Sequence, residues 1–458
     1  MKSRSDSSID RRTFAHRATR AVGYGLSLTA LCGDIFGDAR QAKAAFATRR
    51  LVTGNLRDRI AGMLVGSLIG DAAGGPLEFK TPEALSKHTT PIKQWSDDEL
   101  LDDEALRDRA AALTLLPYVE LRPKAHSYGP WTASAPAGTL TDDTRMKIIL
   151  IRAMRRAKSA GRSTLSREDF AREMIAFGED EALLARPGYA ELAKDWLYEW
   201  NLASRWVLGN RDLTQARPPE RLWAGIDTVA GQMALPPLAA GYVGRSEQAY
   251  RAAYRLGYFD NGPAKDITSA VVAGLAAALA VVDDPTDNGA PTSPPTAWKV
   301  MERAMRRTDP FRYAEVRFVG RPTTRWLDFS AGAARRAEQK PARLFSILEE
   351  ELGARTWWEA HVNFAVCMAI AQLCRYDPLA SIQLALEFGH DTDSTSQLMG
   401  AMMGAVYGAT VFPLPLRQKV IERLQLDYDE DFDAWVAFLL DRANDRVQAT
   451  GKHEPDDT

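Results

Sequence analysis

The sequence predicts an all-α protein, and three observations carry that prediction. Beyond residue 50, apolar residues recur at three- and four-residue spacing in segments rich in Ala, Leu, Arg and Met. Runs alternating apolar with polar residues are nearly absent, and Arg317-Phe318-Val319 is the one candidate for a short extended piece. Glycine also recurs every fourth residue, at Gly62, Gly66, Gly70 and Gly74 and again at Gly400, Gly404 and Gly408. Each glycine inside a helix costs about 1 kcal/mol relative to Ala. Such stripes therefore imply helix backbones packed closely against one another.

Taken in order, the periodic segments predict helices over 57–74, 142–160, 168–178, 187–208, 246–256 and 264–282. Further helices are expected over 296–306, 341–351, 357–375, 378–389, 394–411 and 415–425. Stretches rich in Pro, Gly, Asp and Thr around 80–140, 209–222, 283–295 and 308–340 read as loops. One large helical domain over 50–445 is expected, followed by a disordered polar tail over 446–458.

The chain has 458 residues, 45% hydrophobic and 26% charged, with a formal net charge of −2. That is enough for a sizeable core, and the balance leaves no basic footprint for nucleic acid or a membrane surface. Three cysteines are too few for a disulfide scaffold or a Cys-based metal site. Cys367 and Cys374 share a predicted helix face about 10 Å apart by helical rise, too far for a disulfide. The expected state is a monomer.

Residues 1–47 have the layout of a secretory leader. Arg11-Arg12-Thr13-Phe14 precedes an apolar run from Ala21 to Leu31, and Ala42 and Ala44 then give an A-x-A spacing. The paired arginines point to the twin-arginine route, hence to the periplasm or the exterior, the alternative being a cytoplasmic protein with a basic arm. Cys32 follows Leu31, where a lipidation site would have a small residue.

Two acidic clusters carry the chemistry: Thr141-Asp142-Asp143-Thr144 and Asp391-Thr392-Asp393-Ser394, about 250 residues apart. Adjacent carboxylates repel unless a cation or a proton intervenes. Their donors are all hard oxygens, which suits Mg²⁺ or Mn²⁺ better than Zn²⁺. Each cluster also has a plainer reading as a helix start, with Thr141 as N-cap and the aspartates favoured by the helix dipole. Asp391 and its neighbours lie between segments that both look buried, where an unpaired charge is costly. Asp71 stands near a helix C-terminus, against the dipole, and calls for a specific partner. Glu78 follows a Gly-Gly-Pro break and can swing on a loop.

Together these pieces resemble the ADP-ribosylglycohydrolase family. The matching stretches are Gly70-Asp71-Ala72-Ala73-Gly74-Gly75-Pro76-Leu77-Glu78, Thr141-Asp142-Asp143-Thr144 and Gly389-His390-Asp391-Thr392-Asp393-Ser394, with Gly400-Ala401 and Gly404-Ala405 after them. The resemblance implies a compact orthogonal helical bundle with two Mg²⁺ (or Mn²⁺) ions in a cleft. Their ligands would be Thr141, Asp142, Asp143, Asp391, Asp393 and Ser394. It also implies a hydrolase of an N- or O-glycosidic bond to ribose in an ADP-ribosyl substrate, small or protein-linked. Glu78 or Asp391 would move the proton, with Glu78 on a flap beside the ribose. Expected substrate contacts are Asp71, Gly129, Gln232, Asp260 and His390. The sequence departs from the family pattern at His390, where glycine is usual, and at Ser394, where threonine is usual. It departs again over 229–236 and 257–262, which stand where members hold substrate. Two other readings stay open: a non-catalytic metal-binding protein, and a metal phosphohydrolase. The second is disfavoured because the sequence shows no Arg or Lys beside either cluster placed to clamp a phosphate.

Overall fold

A glycine seam between two helices sets the position of everything functional. In the computed structural model, which describes residues 56–79, 136–186, 197–281 and 295–449, helix α1 (Leu56–Gly74) carries the first glycine stripe. Fifteen further helices follow: α2 (Asp142–Ser159), α3 (Arg167–Gly178), α4 (Glu181–Leu184), α5 (Tyr198–Val207), α6 (Ala230–Ala234), α7 (Ser246–Leu256) and α8 (Pro263–Leu279). The rest are α9 (Thr296–Arg307), α10 (Pro322–Arg336), α11 (Pro341–Glu351), α12 (Ala360–Leu373), α13 (Pro378–Phe388), α14 (Thr392–Tyr407), α15 (Leu414–Tyr428) and α16 (Phe432–Ala449). The described residues contain no strand, only an isolated bridge between Thr228 and Glu359. The fold is all-α, as the sequence predicts.

Helix α1 packs antiparallel on α14. A Cβ added at Gly62, Gly66, Gly70 or Gly74 would run into backbone of Gly408, Gly400, Ser396 and Asp393 respectively. The reverse holds too, since a Cβ at Gly400 or Gly404 meets the backbone of Gly66 or Gly62. Opposed backbones this close bring the C-terminal end of α1, with Asp71, onto the N-terminal end of α14, with Asp393. By length and composition α1 and its 3₁₀ extension, Leu56–Leu77, match a membrane span, yet the segment is buried at the centre of the protein.

Several expectations are revised. The segment expected as a loop over 308–340 contains α10, whose Pro322 sits at the first helical turn, where proline's missing N–H costs nothing. Its threonines, glycine and arginines hid a buried face of Trp326, Leu327, Ser330, Ala333 and Ala334. Arg317-Phe318-Val319 forms a turn rather than an extended piece, with Phe318 at φ 76° and fully exposed. Helix α16 was not foreseen and continues to Ala449, past the expected boundary at 445. Cys367 is buried and Cys374 only partly so, and neither is in a disulfide. The expected leader over 1–47, Cys32, and the tail beyond 449 lie outside the described residues.

Candidate metal centre

The two acidic clusters meet. Ser394 Oγ, in the first turn of α14, donates to Asp143 Oδ2, in the first turn of α2, at 3.2 Å. How each turn arrives there follows from its own chemistry. Thr141 caps α2, its hydroxyl accepting from the Asp143 N–H at 3.1 Å. Asp71 then pins that cap from α1. Its carboxylate accepts from the Thr141 N–H at 3.1 Å and from the hydroxyls of Thr141 and Thr144. Asp71 is fully buried, and this is the partner its position against the helix dipole demanded.

The second cluster is not explained by capping. Asp391 occupies the N-cap position of α14 but makes no side-chain cap hydrogen bond. Its Oδ2 is buried without a hydrogen-bond partner, and so is Asp143 Oδ1. A lone buried carboxylate oxygen loses its hydration with nothing in return. Asp393 Oδ1 accepts from the Ser394 N–H at 2.9 Å, so the aspartate folds over its own helix start. The plain helix-start reading therefore accounts for Thr141 and leaves Asp391 Oδ2 unexplained.

Glu78 completes the wall. It ends the 3₁₀ turn that follows α1, and the next N–H, that of Phe79, donates to the His390 carbonyl at 2.6 Å. One oxygen each from Glu78, Asp391 and Asp393 come within 4.8 Å of one another, as do one each from Asp71, Asp143 and Asp393. Asp393 belongs to both groups. Burial, and next the charges of Asp391, Asp142 and Asp143, hold the Glu78 carboxyl well above its ordinary range. Asp143 and Asp393 are likewise held well above theirs, first by burial and then by surrounding carboxylates. Burial also pushes Asp391 up to about 6.

Two cations escaped the sequence reading. Lys147, one turn into α2, is buried; its ammonium donates to the Asp143 carbonyl at 3.0 Å and feels Asp143, Asp71, Asp142 and Asp393. Arg145 is buried beside it, its Nε donating to the Thr141 carbonyl at 3.1 Å. The expectation that neither motif has a basic neighbour is thus corrected. An i, i+4 spacing from Asp143 was the signal that could have found Lys147. One ammonium and one guanidinium cannot balance Asp71, Glu78, Asp142, Asp143, Asp391 and Asp393. The residues present fit bound divalent cations: the donors are carboxylate and hydroxyl oxygens, and two buried oxygens lack a partner.

The sequence model of the family described as ADP-ribosylglycohydrolase matches residues 53–450. The chain belongs to the ADP-ribosylglycohydrolase family. Membership in it suggests a glycohydrolase. A solved structure described as an "ADP-ribosylglycohydrolase-related protein complex" is similar, with 17% identity and a TM-score of 0.47, covering 85% of this chain and 99% of that one. No curated protein matches.

The expected substrate contacts of this glycohydrolase-family chain fall in different places. His390 sits beside the cluster, its ring stacked on Trp357 with centroids 3.6 Å apart and its Nε2 donating to Glu349 at 2.8 Å. Gln232 is fully buried; its amide donates to the Ala360 carbonyl at 2.8 Å and accepts from Asn363 at 2.7 Å. Gln397 Nε2 donates to the Gln232 carbonyl, and Ser67 donates to Gln397 Oε1. This polar chain ties α1, α14, α6 and α12 together behind the metal centre. Asp260 is buried, accepts from the Gly231 N–H at 2.9 Å, and is raised to about 7 by burial. Asp266 accepts from Tyr250, Arg321 and Thr323, so both its oxygens are occupied. Gly129 lies outside the described residues.

Proposed function

We propose that the chain is a metal-dependent hydrolase that cleaves an N- or O-glycosidic bond to ribose in an ADP-ribosyl or related ribosyl substrate. The observation that carries this reading is the pair of partnerless buried oxygens, Asp143 Oδ1 and Asp391 Oδ2, on two helix starts joined by the Ser394–Asp143 hydrogen bond. Thr141, Asp142, Asp143, Asp391, Asp393 and Ser394 would hold two Mg²⁺ or Mn²⁺ ions. Bound there, the ions would supply Lewis acidity at the ribose hydroxyls and at a water.

The protein's own residues supply the rest. Asp71 fixes Thr141 and the start of α2, so the oxygen donors are held before any ligand arrives. Glu78 is the carboxyl at the edge of the cluster, half-buried, with no hydrogen bond fixing it among the described residues. Its raised pKa suits a group that gives a proton to the leaving atom and takes one from water. Asp391 stays with the ligands. The positive charge that develops at the anomeric carbon is stabilised by the facing carboxylates.

Purified protein with Mg²⁺ or Mn²⁺ should release ADP-ribose or ribose from at least one of ADP-ribosyl-arginine, ADP-ribosyl-serine, O-acetyl-ADP-ribose or nucleosides. Tight metal binding with no turnover on any of them would instead favour the binding-protein reading. The proposal extends to a monomer exported by the twin-arginine route, supported by the order of residues 1–47. Cell fractionation with Arg11→Lys and Arg12→Lys checks export, since the paired change should hold the protein in the cytoplasm.

A further inference from the structure

A second convergence of ligand-type side chains lies outside the carboxylate cluster. Thr228 and Glu359 form an antiparallel bridge, closed by the Val229 N–H donating to the Trp358 carbonyl and the Ala360 N–H to the Asp227 carbonyl, each at 2.9 Å. The bridge brings Asp227 against Glu359 and against His361 in the first turn of α12. One ligand atom from each of the three lies within 4.8 Å of the others, and all three residues are buried.

The placement of protons makes this group unusual. His361 Nε2 lies 3.3 Å from the Leu352 carbonyl. A carbonyl only accepts, so the ring proton is on Nε2, and Nδ1 of the neutral imidazole presents a lone pair. That lone pair faces Glu359 Oε2 at 3.8 Å and Asp227 Oδ2 at 3.9 Å. Three acceptors thus converge with no proton between them. Burial keeps the imidazole below its ordinary range despite both carboxylates, consistent with a neutral ring. Arg355 occupies the outer side. Its guanidinium bonds Asp227 Oδ1 at 2.8 Å and lies 3.5 Å from Glu359 Oε2, on a side chain that is 61% exposed. Glu359 Oε1 is taken by the N–H groups of Arg355 and Thr356.

An independent observation points the same way. Thr228 Oγ1 is buried with no hydrogen-bond partner, in a residue only 4% exposed. In a bridge of this hydrogen-bond pattern the two opposed residues are the close pair, and their side chains leave the same face. The partnerless hydroxyl therefore stands on the side of the Glu359 carboxylate.

We propose that Asp227, Glu359 and His361 bind a divalent transition-metal ion, with the Thr228 hydroxyl alongside as a further oxygen. One imidazole with two carboxylates is a set that suits Zn²⁺ and its first-row neighbours, unlike the oxygen-only cluster. An ion about 2.1 Å from each donor needs donors roughly 3.4 Å apart, so Nδ1, at 3.8 and 3.9 Å, has to close on each oxygen by about half an ångström. The Leu352 carbonyl fixes the ring tautomer, the outer-shell role usual for a metal-bound histidine. The ion would clamp the segment that carries Trp357, stacked on His390, and Trp358, edge-on to Phe79 beside Glu78. The inference rests on these residues alone and does not depend on the ribosyl reading.

Metal analysis and visible absorption of the full chain with Co²⁺, in excess Mg²⁺, test the site. Wild type should hold one Co²⁺ and show a visible band, both lost in His361→Ala and both kept in Asp391→Asn. An unchanged stoichiometry and band in His361→Ala overturns the proposal. If His361→Ala does not fold, the His361 ring resonances of the wild type decide. Zn²⁺ should shift them and abolish their titration, whereas a ring that titrates identically with and without Zn²⁺ shows a plain imidazolium ion pair and overturns it equally.

Discussion

Ser394 donates a hydrogen bond to Asp143 across 251 residues of sequence, and this single contact joins the two halves of the metal centre. It also orients the Asp143 carboxylate, leaving Oδ1 as the atom without a partner. Ser394→Ala should weaken Mn²⁺ binding by roughly tenfold to a hundredfold, the range for lost outer or hydroxyl support at a metal site. Ser394→Thr should restore it. Titration calorimetry checks both, and equal affinity in all three proteins would remove Ser394 from the site.

Glu78 and Asp391 are given different roles, and their amides should separate them. Glu78→Gln should lower kcat by about 10² to 10⁴ while Mn²⁺ affinity changes little. Asp391→Asn should abolish metal binding and activity together. If Glu78→Gln loses metal as completely as Asp391→Asn, Glu78 is a ligand and the proton moves elsewhere.

The metal-free protein should show the strain of its carboxylates through pH. Asp143, Asp391, Asp393 and Glu78 all have folded-state pKa values raised above the unfolded ones. A raised acid favours folding fully below its unfolded pKa, near 4 for Asp and Glu. That contribution is lost as pH rises through the folded value, about 6 for Asp391. The rise in Tm on adding Mn²⁺ to chelator-treated protein should therefore be small at about pH 4.5, close to the unfolded values, and grow as pH rises through the folded value of about 6. A Tm rise independent of pH would contradict the repulsion argument.

The seam between α1 and α14 leaves no room for a methyl group. Gly70→Ala drives a Cβ into the Ser396 backbone, which has no rotamer to yield, and should destabilise by at least about 3 kcal/mol, the upper range for overpacking. Gly332→Ala, in α10 with open space around it, should be neutral or slightly stabilising. Denaturant unfolding of the two proteins measures the contrast.

Much of this was legible in the chain because the signals were local. The two acidic motifs, the glycine stripes and the buried Asp71 each break a helix rule within a few residues, and broken local rules mark special sites. The twelve expected helices are present wherever their residues are described, with small shifts at their ends. Helix α10 was missed because Pro322, two threonines and Gly332 read as loop chemistry while its buried face is held by tertiary packing. Lys147 was missed because a basic residue on an amphipathic helix ordinarily faces water. The Asp227–Glu359–His361 group had no sequence signal beyond His361 itself, on the helix leading to the second acidic motif. It is assembled by a bridge between segments 131 positions apart, the separation of Thr228 and Glu359.

The seam has one more consequence. Backbone pressed on backbone along α1 and α14 resists sliding or rolling of either helix, so the spacing of that wall is set by main chain rather than by side chains. The facing side is held chiefly by side chains, with one backbone hydrogen bond from Phe79 to His390: Glu78, Phe79, Trp357, Trp358 and His390. Substitutions on that second wall can change the surroundings of Glu78 while the carboxylate cluster keeps its spacing. The centre is in this sense divided into a wall fixed by main chain and a wall built of side chains, with Asp393 on the first.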